Sequence, residues 1–351
     1  MLIGSQPMIT LPTRTGPSHP GPKEPIYPDW RRALEGALTD PAELCRLLGL
    51  PPSLAASSRR VGDVAPLLVP RTYLSRIKRG DPKDPLLLQV LPREEELVEH
   101  PGFTQDPLEE AAATRGPGLL GKYRSRFLIV TTQRCAVHCR FCFRRHFPCG
   151  KGPRCRAEWD QILRRIRSEP SAGEVILSGG DPLCLEDGFL AELAQRLAAI
   201  GHVRRLRIHT RLPIMIPQRV TEGLIAWLRG TRLVPIVAVH VNHPAEIDAA
   251  VAAALGRLVE AAIPVLSQSV ILRGVNDQVD VLAELFERLV DLRVMPYYLH
   301  QLDRVAGSAH FEVPEQRGME LVRQLRARLP GYAIPRYVRE TPGMPNKWVL
   351  A

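Results

Sequence analysis

Residues 126–142 have the sequence RFLIVTTQRCAVHCRFC, in which a run rich in apolar and β-branched residues leads directly into three cysteines. The run from Phe127 to Thr132 predicts a buried β-strand. Cys135, Cys139 and Cys142 follow the strand at spacings of four and three residues. Three thiolates at these spacings can converge on one metal site. The stretch therefore predicts a strand that ends in a metal-binding loop.

Downstream of this strand, apolar runs alternate with segments of helical periodicity. The predicted strand and helix pairs are Phe127–Thr132 with Glu158–Arg167, Glu174–Leu177 with Asp187–Ile200, Arg205–His209 with Gln218–Arg229, Leu233–His240 with Ala245–Ala262, Val265–Val270 with Gln278–Leu292, and Val294–Leu299 with Pro314–Leu329. Such alternation is typical of a parallel sheet with right-handed crossovers. Six units predict an α/β fold with a partial, open (β/α)6 TIM-like barrel, whose chemistry lies at the carboxyl ends of the strands.

The chain outside this core divides by composition. Residues 1–30 contain seven prolines and predict a mobile arm. Residues 31–120 predict a helical N-terminal region, in which Asp40 and Pro41 begin one helix and Gly49 ends it. The barrel core is expected to span residues 121–313, and residues 314–351 to hold the last barrel helix and a C-terminal segment.

Composition excludes several classes of protein. The 351 residues carry 47 Lys and Arg against 37 Asp and Glu, a net charge of +10, with 45% hydrophobic residues. This balance argues against wholesale disorder, and no apolar run is long enough to span a membrane. Seven cysteines are an odd number and no disulfide framework, which favours a reducing compartment such as the cytoplasm. The positive charge permits an acidic partner without requiring one.

The cysteine loop favours an iron–sulfur cluster over zinc. Zinc-finger cysteines usually come as two pairs, whereas Cys149, Cys155 and Cys184 are scattered singly here. Three ligands to a four-iron cluster leave one iron open, and that iron can chelate the amino and carboxylate groups of S-adenosylmethionine. Phe141 would shield the cluster from water. A zinc knot and a chance grouping of cysteines are the alternatives.

Several ordered motifs resemble one family. CAVHCRFCFRRHF, ILSGGDPL, RIHTRLPIMIPQR, HVNHPAEI, SQSVILRGVND and PYYLHQLDRVAGSAHF together resemble the lysine 2,3-aminomutase family of the radical S-adenosylmethionine superfamily. DPAELCRLLGL, VPRTYLSRIKRGDPKDPLLLQVLP and DPLEE are similar to the bacterial branch that acts with elongation factor P. The resemblance covers roughly residues 35–347 and implies a barrel of the radical S-adenosylmethionine type.

The resemblance also implies roles for cofactor-binding residues. Gly179, Gly180 and Asp181 would form the turn that binds S-adenosylmethionine, with Gln268 in the same region. Lys347 would carry pyridoxal 5'-phosphate as an imine, although the family usually continues with Thr-Pro where this chain has Trp348 and Val349. Without the resemblance, the glycine turn is a plain loop, Lys347 an exposed tail lysine, and Gln268, like His240, a satisfied core polar group.

Four further residues match family positions. Arg126 would bind the cofactor phosphate and Arg144 the substrate carboxylate, while Asp303 would bind the distal ammonium group of lysine. Glu340 stands seven residues before Lys347, where the family has a second carboxylate, and its extra methylene alters its reach. Read without the family, the arginines form a basic loop edge.

The function implied is isomerisation of L-lysine to β-lysine, with a [4Fe-4S] cluster, S-adenosylmethionine and pyridoxal 5'-phosphate as cofactors. The branch implies that a separate ligase attaches β-lysine to elongation factor P, and that a flavodoxin or ferredoxin supplies electrons. No membrane or nucleic-acid partner is expected, and a homo-oligomer stays open. A free-standing lysine 2,3-aminomutase is the first alternative, and a zinc-dependent nucleic-acid-binding protein is the alternative from another class.

Overall fold

The computed structural model describes residues 29–62, 66–147 and 152–351 of the chain. Within these ranges, ten strands form one sheet whose order follows the sequence. The strands are Thr114–Gly116 (β1), Leu119–Tyr123 (β2), Arg126–Thr132 (β3), Glu174–Gly179 (β4), Arg205–Thr210 (β5), Val234–His240 (β6), Val265–Val270 (β7), Met295–His300 (β8), Arg336–Arg339 (β9) and Trp348–Val349 (β10).

Strands β3 to β8 pair in parallel with one another in chain order, and a helix covers the crossover after each of them. These are the six strand–helix units predicted from the sequence, with ends that differ by a few residues. The predicted α/β fold with a partial (β/α)6 barrel is therefore confirmed. The described sheet stays open, because β1 and β10 are its two edges and do not pair with each other.

The helices cover the outer face of the sheet and form the N-terminal region. They are Trp30–Glu35 (α1), Pro41–Leu48 (α2), Pro52–Gly62 (α3), Arg71–Leu74 (α4), Pro85–Leu88 (α5), Arg156–Arg167 (α6), Asp187–Ala198 (α7), Leu212–Met215 (α8), Glu222–Arg229 (α9), Ala249–Glu260 (α10), Val279–Asp291 (α11) and Glu315–Arg326 (α12).

The barrel helices are fixed by apolar stripes. In α7, Leu190, Leu193, Ala194 and Leu197 are buried, which is the spacing of one helical face. Burial of each leucine contributes about 1.5–3 kcal/mol to folding. The stripe thus both selects the helix and determines which face of it packs on the sheet.

The N-terminal helices follow local signals in the sequence. The side chain of Asp40 accepts a hydrogen bond from the amide of Ala42 at 3.0 Å, and Pro41 is the first residue of α2. Gly49 ends the helix with φ of +66°, a left-handed conformation that favours glycine. Both ends of α2 lie where the sequence predicted them.

Both edges of the sheet differ from the prediction. Strands β1 and β2 form an antiparallel hairpin that pairs with β3, so region 31–120 is not helical at its end. After α12, β9 pairs in parallel with β8, and β10 pairs antiparallel with β9. These four strands have two to five residues each, too few for a hydrophobic period to be recognised in the sequence.

Two of the sequence predictions fall wholly or largely outside the described residues. The predicted mobile arm 1–30 lies outside them as far as residue 28, and Cys149 also lies outside them. Among the residues described, none of the helices has the length and apolar character needed to cross a membrane.

Candidate active site

The inner face of the sheet lines a cavity of about 680 Å³, within the size range of sites that bind small molecules. The loop after β3 lines one part of it and Arg126, at the start of β3, lines another. At about 3.3 Å per residue, β3 alone spans about 20 Å. The cavity is lined by every residue predicted for the site: Arg126, Cys135, Cys139, Cys142, Arg144, Gly179, Gly180, Asp181, Gln268, Asp303, Glu340 and Lys347.

The three cysteines of the loop all line the cavity, and Cys139 and Cys142 both act electrostatically on Cys135. Among the described residues, no group of three or more His, Cys, Asp or Glu side chains is arranged to hold a single metal ion. In a four-iron cluster each cysteine binds a different iron, so the three sulfur atoms need not meet. The donor set therefore fits an iron–sulfur cluster, whereas a structural zinc ion needs four ligands around one point.

The three cysteines of the loop are half-buried. Burial raises the pKa of Cys135, with Cys142 adding to the effect. Burial, with a contribution from Cys139, also raises the pKa of Cys142 to about 11. Without a metal these two thiols are protonated at neutral pH, so iron binding would release their protons.

Phe141, the residue predicted to shield the cluster from water, lies between Cys139 and Cys142 in the loop. It is buried, and its ring stacks on His240 with the ring centres 5.6 Å apart. Phe311 contacts it edge-on at 6.1 Å. The aromatic group joins the cysteine loop to β6 and to the segment after β8.

The N-terminal region binds the cysteine loop directly. The amide of His138 donates to the carbonyl of Leu68 at 3.0 Å, and that of Arg140 donates to the carbonyl of Gln89 at 2.9 Å. Glu96 accepts two hydrogen bonds from Arg140 and one from Arg145. Burial would raise the pKa of Glu96, but the two guanidinium groups outweigh burial and lower it. The ionised carboxylate of Glu96 thus holds two arginines of the loop in place.

The glycine turn after β4 is required by close backbone contact. Gly179 has φ of +122°, and a Cβ atom there would lie 2.5 Å from the carbonyl oxygen of Thr132. A Cβ atom on Gly180 would lie 2.3 Å from the carbonyl oxygen of Arg134, and its amide already donates to Thr132 at 2.7 Å. The glycines therefore allow the β4 turn to touch the start of the cysteine loop, a reason for their presence that the sequence did not show.

The carboxylate of Asp181 is hydrogen-bonded to groups of the protein. Its carboxylate accepts from the hydroxyl of Thr210 and from the amides of Leu183, Arg211 and Leu212. Burial raises its pKa, and these donors partly oppose that rise. Asp181 therefore connects the end of β4 to the end of β5.

At the start of β3, Arg126 offers a free donor to the cavity. Its Nε atom is buried and has no hydrogen-bond partner among the described residues. The guanidinium group lies 4.6 Å from the centre of the Tyr123 ring. A buried donor without a partner suits an anion such as a phosphate, because leaving it unsatisfied costs about 1–3 kcal/mol. The site thus fits the phosphate group that the resemblance assigns to Arg126.

A chain of five alternating charges runs along the wall of the cavity. Arg144 makes two hydrogen bonds of 2.7 Å to Glu110, and Glu110 lies 3.2 Å from the ammonium group of Lys122. Lys122 donates to Glu340 at 2.9 Å, and the other oxygen of Glu340 accepts from Lys347. The chain links three predicted site residues, Arg144, Glu340 and Lys347. The two connecting residues, Glu110 and Lys122, were not predicted from the sequence, although the DPLEE motif contains Glu110.

Both carboxylates of this chain are ionised. Burial would raise the pKa of Glu340, but Lys347 and Lys122 outweigh it and hold that pKa well below its usual range. Burial is likewise outweighed for Glu110, whose pKa is lowered by Arg144 and Lys122. The guanidinium of Arg144 is therefore already paired, and its Nη1 atom makes only longer contacts, to the hydroxyl of Ser178 at 3.2 Å and the carbonyl of Gly179 at 3.4 Å.

Asp303 lies in the segment after β8, and its pKa is raised whereas those of Glu110 and Glu340 are lowered. Burial, with repulsion from Glu340 second, raises the pKa of its carboxyl group to about 7. Lys347 and Lys122 oppose this rise without cancelling it. A buried carboxyl group poised near neutrality is ready to ionise when a cation enters, because the cation would lower its pKa.

Three uncharged imidazoles complete the lining. Burial, with Arg211 second, lowers the pKa of His240 to about 3, and burial with Lys347 second lowers that of His300 to about 3. The pKa of His209 is also lowered by burial. The Nε2 atoms of His209 and His240 are buried and have no hydrogen-bond partner within the described part of the chain. Gln268 pairs with His240 across β6 and β7, so both line the same stretch of the cavity.

The chain is similar in sequence to a known superfamily and to several enzymes. The family model described as the radical SAM superfamily matches residues 129–286, which include the cysteine loop and the glycine turn. The chain is 41% identical to the L-lysine 2,3-aminomutase of Haemophilus influenzae, over 94% of this chain and 98% of the relative. It is 42% identical to the L-lysine 2,3-aminomutase of Escherichia coli, over 93% and 95% of the two chains.

A more distant relative is the L-lysine 2,3-aminomutase of Clostridium subterminale. It is 35% identical over 90% of this chain and 76% of its own length. The similarity therefore extends through the N-terminal region and the C-terminal segment as well as the barrel.

Proposed function

Because the chain belongs to the L-lysine 2,3-aminomutase family of radical S-adenosylmethionine enzymes, we propose that it isomerises L-lysine to β-lysine by moving the amino group from C2 to C3. The observation that carries this proposal is the convergence of all the predicted site residues on one cavity. Thiols, unpaired buried donors and a chain of charges occur there together.

Three kinds of residue would hold the cofactors. Cys135, Cys139 and Cys142 would bind a [4Fe-4S] cluster, with S-adenosylmethionine between the cluster, the Gly179–Asp181 turn and Gln268. Lys347 would hold pyridoxal 5'-phosphate through its amine, with Arg126 on the phosphate. When bound, these groups supply the radical chemistry and the electron delocalisation that side chains lack.

The protein's own residues would bind and orient lysine by its two ends. Arg144 would bind the substrate carboxylate through Nη1, since Glu110 occupies its other donors. Asp303 and Glu340 would bind the distal ammonium group. The charge chain would fix both ends relative to one another and so align C3 of lysine for reaction.

In the structure the amine of Lys347 donates a hydrogen bond to Glu340, one of the two carboxylates that we assign to the substrate's ammonium group. A lysine side chain of the protein therefore already occupies the subsite that we assign to the substrate's ammonium group. Binding of the cofactor by Lys347 would free one oxygen of Glu340 for the substrate, while Lys122 keeps the other.

The direct test is anaerobic incubation of the reconstituted protein with lysine, S-adenosylmethionine and dithionite, followed by amino-acid analysis. We expect β-lysine, together with iron, sulfide and bound pyridoxal 5'-phosphate in the protein. Protein that contains only zinc and binds nucleic acid in a salt-dependent way would contradict the proposal.

Single substitutions assign the roles. Cys139→Ala should lose the cluster, and Lys347→Ala should lose the site that borohydride reduction links to the cofactor, as located by peptide mass spectrometry. Asp303→Lys should lose turnover of lysine, because it replaces a carboxylate by a cation. A full cluster in the first variant, cofactor still linked in the second, or unchanged kinetics in the third would remove the residue concerned from the proposed site.

The finer proposal is that β-lysine is supplied to elongation factor P in the cytoplasm. It is supported by the resemblance of the N-terminal motifs, and it requires a separate ligase and a flavodoxin or ferredoxin as electron donor. Deletion of the gene in its host should remove the β-lysyl mass from elongation factor P, and the gene should restore it. Unmodified elongation factor P in wild-type cells would favour a free-standing aminomutase instead.

A further inference from the structure

Arg211, the residue after β5, places a buried guanidinium group against the cysteine loop. Its Nη1 atom donates to the sulfur of Cys139 at 2.8 Å. Its Nη2 atom donates to Gln89 at 2.6 Å and to Glu246 at 2.9 Å. Arg211 lies in the RIHTRLPIMIPQR motif, but the sequence assigned it no role.

A fully buried network holds this guanidinium group in place. The backbone amide of Arg211 donates to Asp181 at 2.7 Å. Glu246 also accepts from the amides of Asn242 and His243, and Gln89 also accepts from the side chain of Asn242. Gln89, Asn242 and Glu246 have no exposed surface. The arginine therefore cannot turn to solvent, and its contact with Cys139 is built into the fold.

Charge in this network is balanced across Arg211. Glu246 and the sulfur of Cys139 lie on separate nitrogen atoms of the guanidinium group, so both compete for one positive charge. Burial would raise the pKa of Glu246, but Arg211 outweighs it and lowers that pKa. The group facing Cys139 is thus a charged donor, partly compensated from behind by a charged acceptor.

Reduction of an iron–sulfur cluster by one electron adds one negative charge to the iron and its sulfur ligands. Hydrogen bonds to ligand sulfurs and nearby positive charge stabilise the reduced state, and a buried site strengthens both effects. We propose that Arg211 raises the reduction potential of the cluster by donating to Cys139, and that Glu246 sets the size of this effect. The electron comes from the external donor, and Arg211 transfers neither electron nor proton.

This inference rests on the proposed function, because it requires the cluster on the three cysteines. The test uses full-length protein with an anaerobically reconstituted cluster, titrated with dithionite in the presence of redox mediators. The EPR signal of the reduced cluster gives the midpoint potential. Arg211→Gln should shift the potential to a more negative value, whereas Glu246→Gln should shift it to a more positive value. Opposite signs are the signature of charge, which a purely structural disturbance would not produce.

Two further variants complete the design. The double variant Arg211→Gln with Glu246→Gln leaves no unpaired buried charge, and its potential should lie between those of the single variants. Arg196→Gln is the matched control, because it removes an arginine that pairs with Asp160 on the outer helices, and it should leave the potential unchanged.

The outcomes separate this inference from its premise. Wild-type protein that binds no iron–sulfur cluster would contradict the proposed function itself. A full cluster whose potential is the same in Arg211→Gln, or that shifts in the same direction in both single variants, would overturn the role of Arg211. If Arg211→Gln does not bind a cluster, the result for Glu246→Gln decides. An unchanged or more negative potential in Glu246→Gln would then overturn the proposed role of Arg211.

Discussion

Single buried charges determine what this site can bind. Glu110 and Lys122 join the predicted carboxylate-binding Arg144 to the predicted ammonium-binding Glu340 in a continuous chain of ion pairs. Asp303 lies outside that chain, and burial leaves it with a pKa of about 7. The cavity therefore holds two carboxylates of this chain that are already paired, on Glu110 and Glu340, and a carboxyl group on Asp303 that would ionise when a cation enters.

Asp303 is expected to make lysine binding pH-dependent near neutrality. Below pH 7 its carboxyl group is neutral and cannot pair with an ammonium group, so the KM for lysine should fall as the pH rises through 7. Steady-state kinetics on both sides of that pH would measure the step. Asp303→Asn keeps the shape without the charge, and should show a raised KM with no step. A step that persists in this variant would belong to another group.

Glu110→Gln is expected to destabilise the protein and weaken lysine binding together. Removing one partner from a buried ion pair costs about 3–5 kcal/mol, because the remaining charge is left uncompensated. The free energy of unfolding in urea should fall by about that amount, and the KM for lysine should rise as Arg144 loses its support. The neighbouring, exposed Glu109→Gln is the control and should change stability by less than about 0.5 kcal/mol.

The loops at the carboxyl ends of β3, β4 and β5 contact one another directly. The glycine turn after β4 touches the backbone at the start of the cysteine loop, and Asp181 then binds the end of β5. Adjacent parallel strands place these loops side by side, so a change in one loop reaches the others.

Gly180→Ala is expected to lower iron binding although no cysteine is changed. The added Cβ atom would lie 2.3 Å from the carbonyl oxygen of Arg134, so the backbone before Cys135 must move. Iron and sulfide per chain after reconstitution measure the effect. Gly188→Ala, in α7 where a Cβ atom would meet nothing within 4 Å, should bind iron normally and be as stable as wild type or up to about 1 kcal/mol more stable. Equal iron in the two variants would show that the loop absorbs the clash.

The N-terminal region contributes hydrogen-bond acceptors to the candidate active site. Gln89, Glu96 and Glu110 come from this region, and each accepts hydrogen bonds from arginines of the barrel loops. Without this region each of those arginines would lose a buried acceptor, which is costly. The N-terminal region therefore helps to form the cavity and does not merely pack on the outside of the barrel.

Glu96→Gln is expected to loosen the cysteine loop. Arg140 and Arg145 would keep their buried positive charges without a counter-charge, and the balance should shift to open conformations. Hydrogen exchange of residues 135–147 should become faster, and the cluster should be lost more quickly in the presence of a chelator. Glu95→Gln, an exposed neighbour that pairs with Arg93, is the matched control. Unchanged exchange in Glu96→Gln would show that backbone contacts alone hold the loop.

The regular elements follow from local patterns, which is why they were predictable. The run before Cys135 and the apolar stripe of α7 specify their elements through spacing alone, and Asp40 and Gly49 mark the ends of α2 by their conformational preferences. The short hairpin of β1 and β2 has no such pattern. It forms because β3 offers an edge to pair with, and that edge exists only in the folded sheet.

The six strand–helix units and the thiol loop could be predicted from the amino-acid sequence, because spacing and residue type are local properties, and the other candidate site residues followed from resemblance to a family. The partners of those residues are fixed only in the folded chain. Glu110, Lys122, Arg211 and Glu96 are far along the chain from the groups they bind, and their pairing depends on desolvation and on distances that arise when the chain has folded.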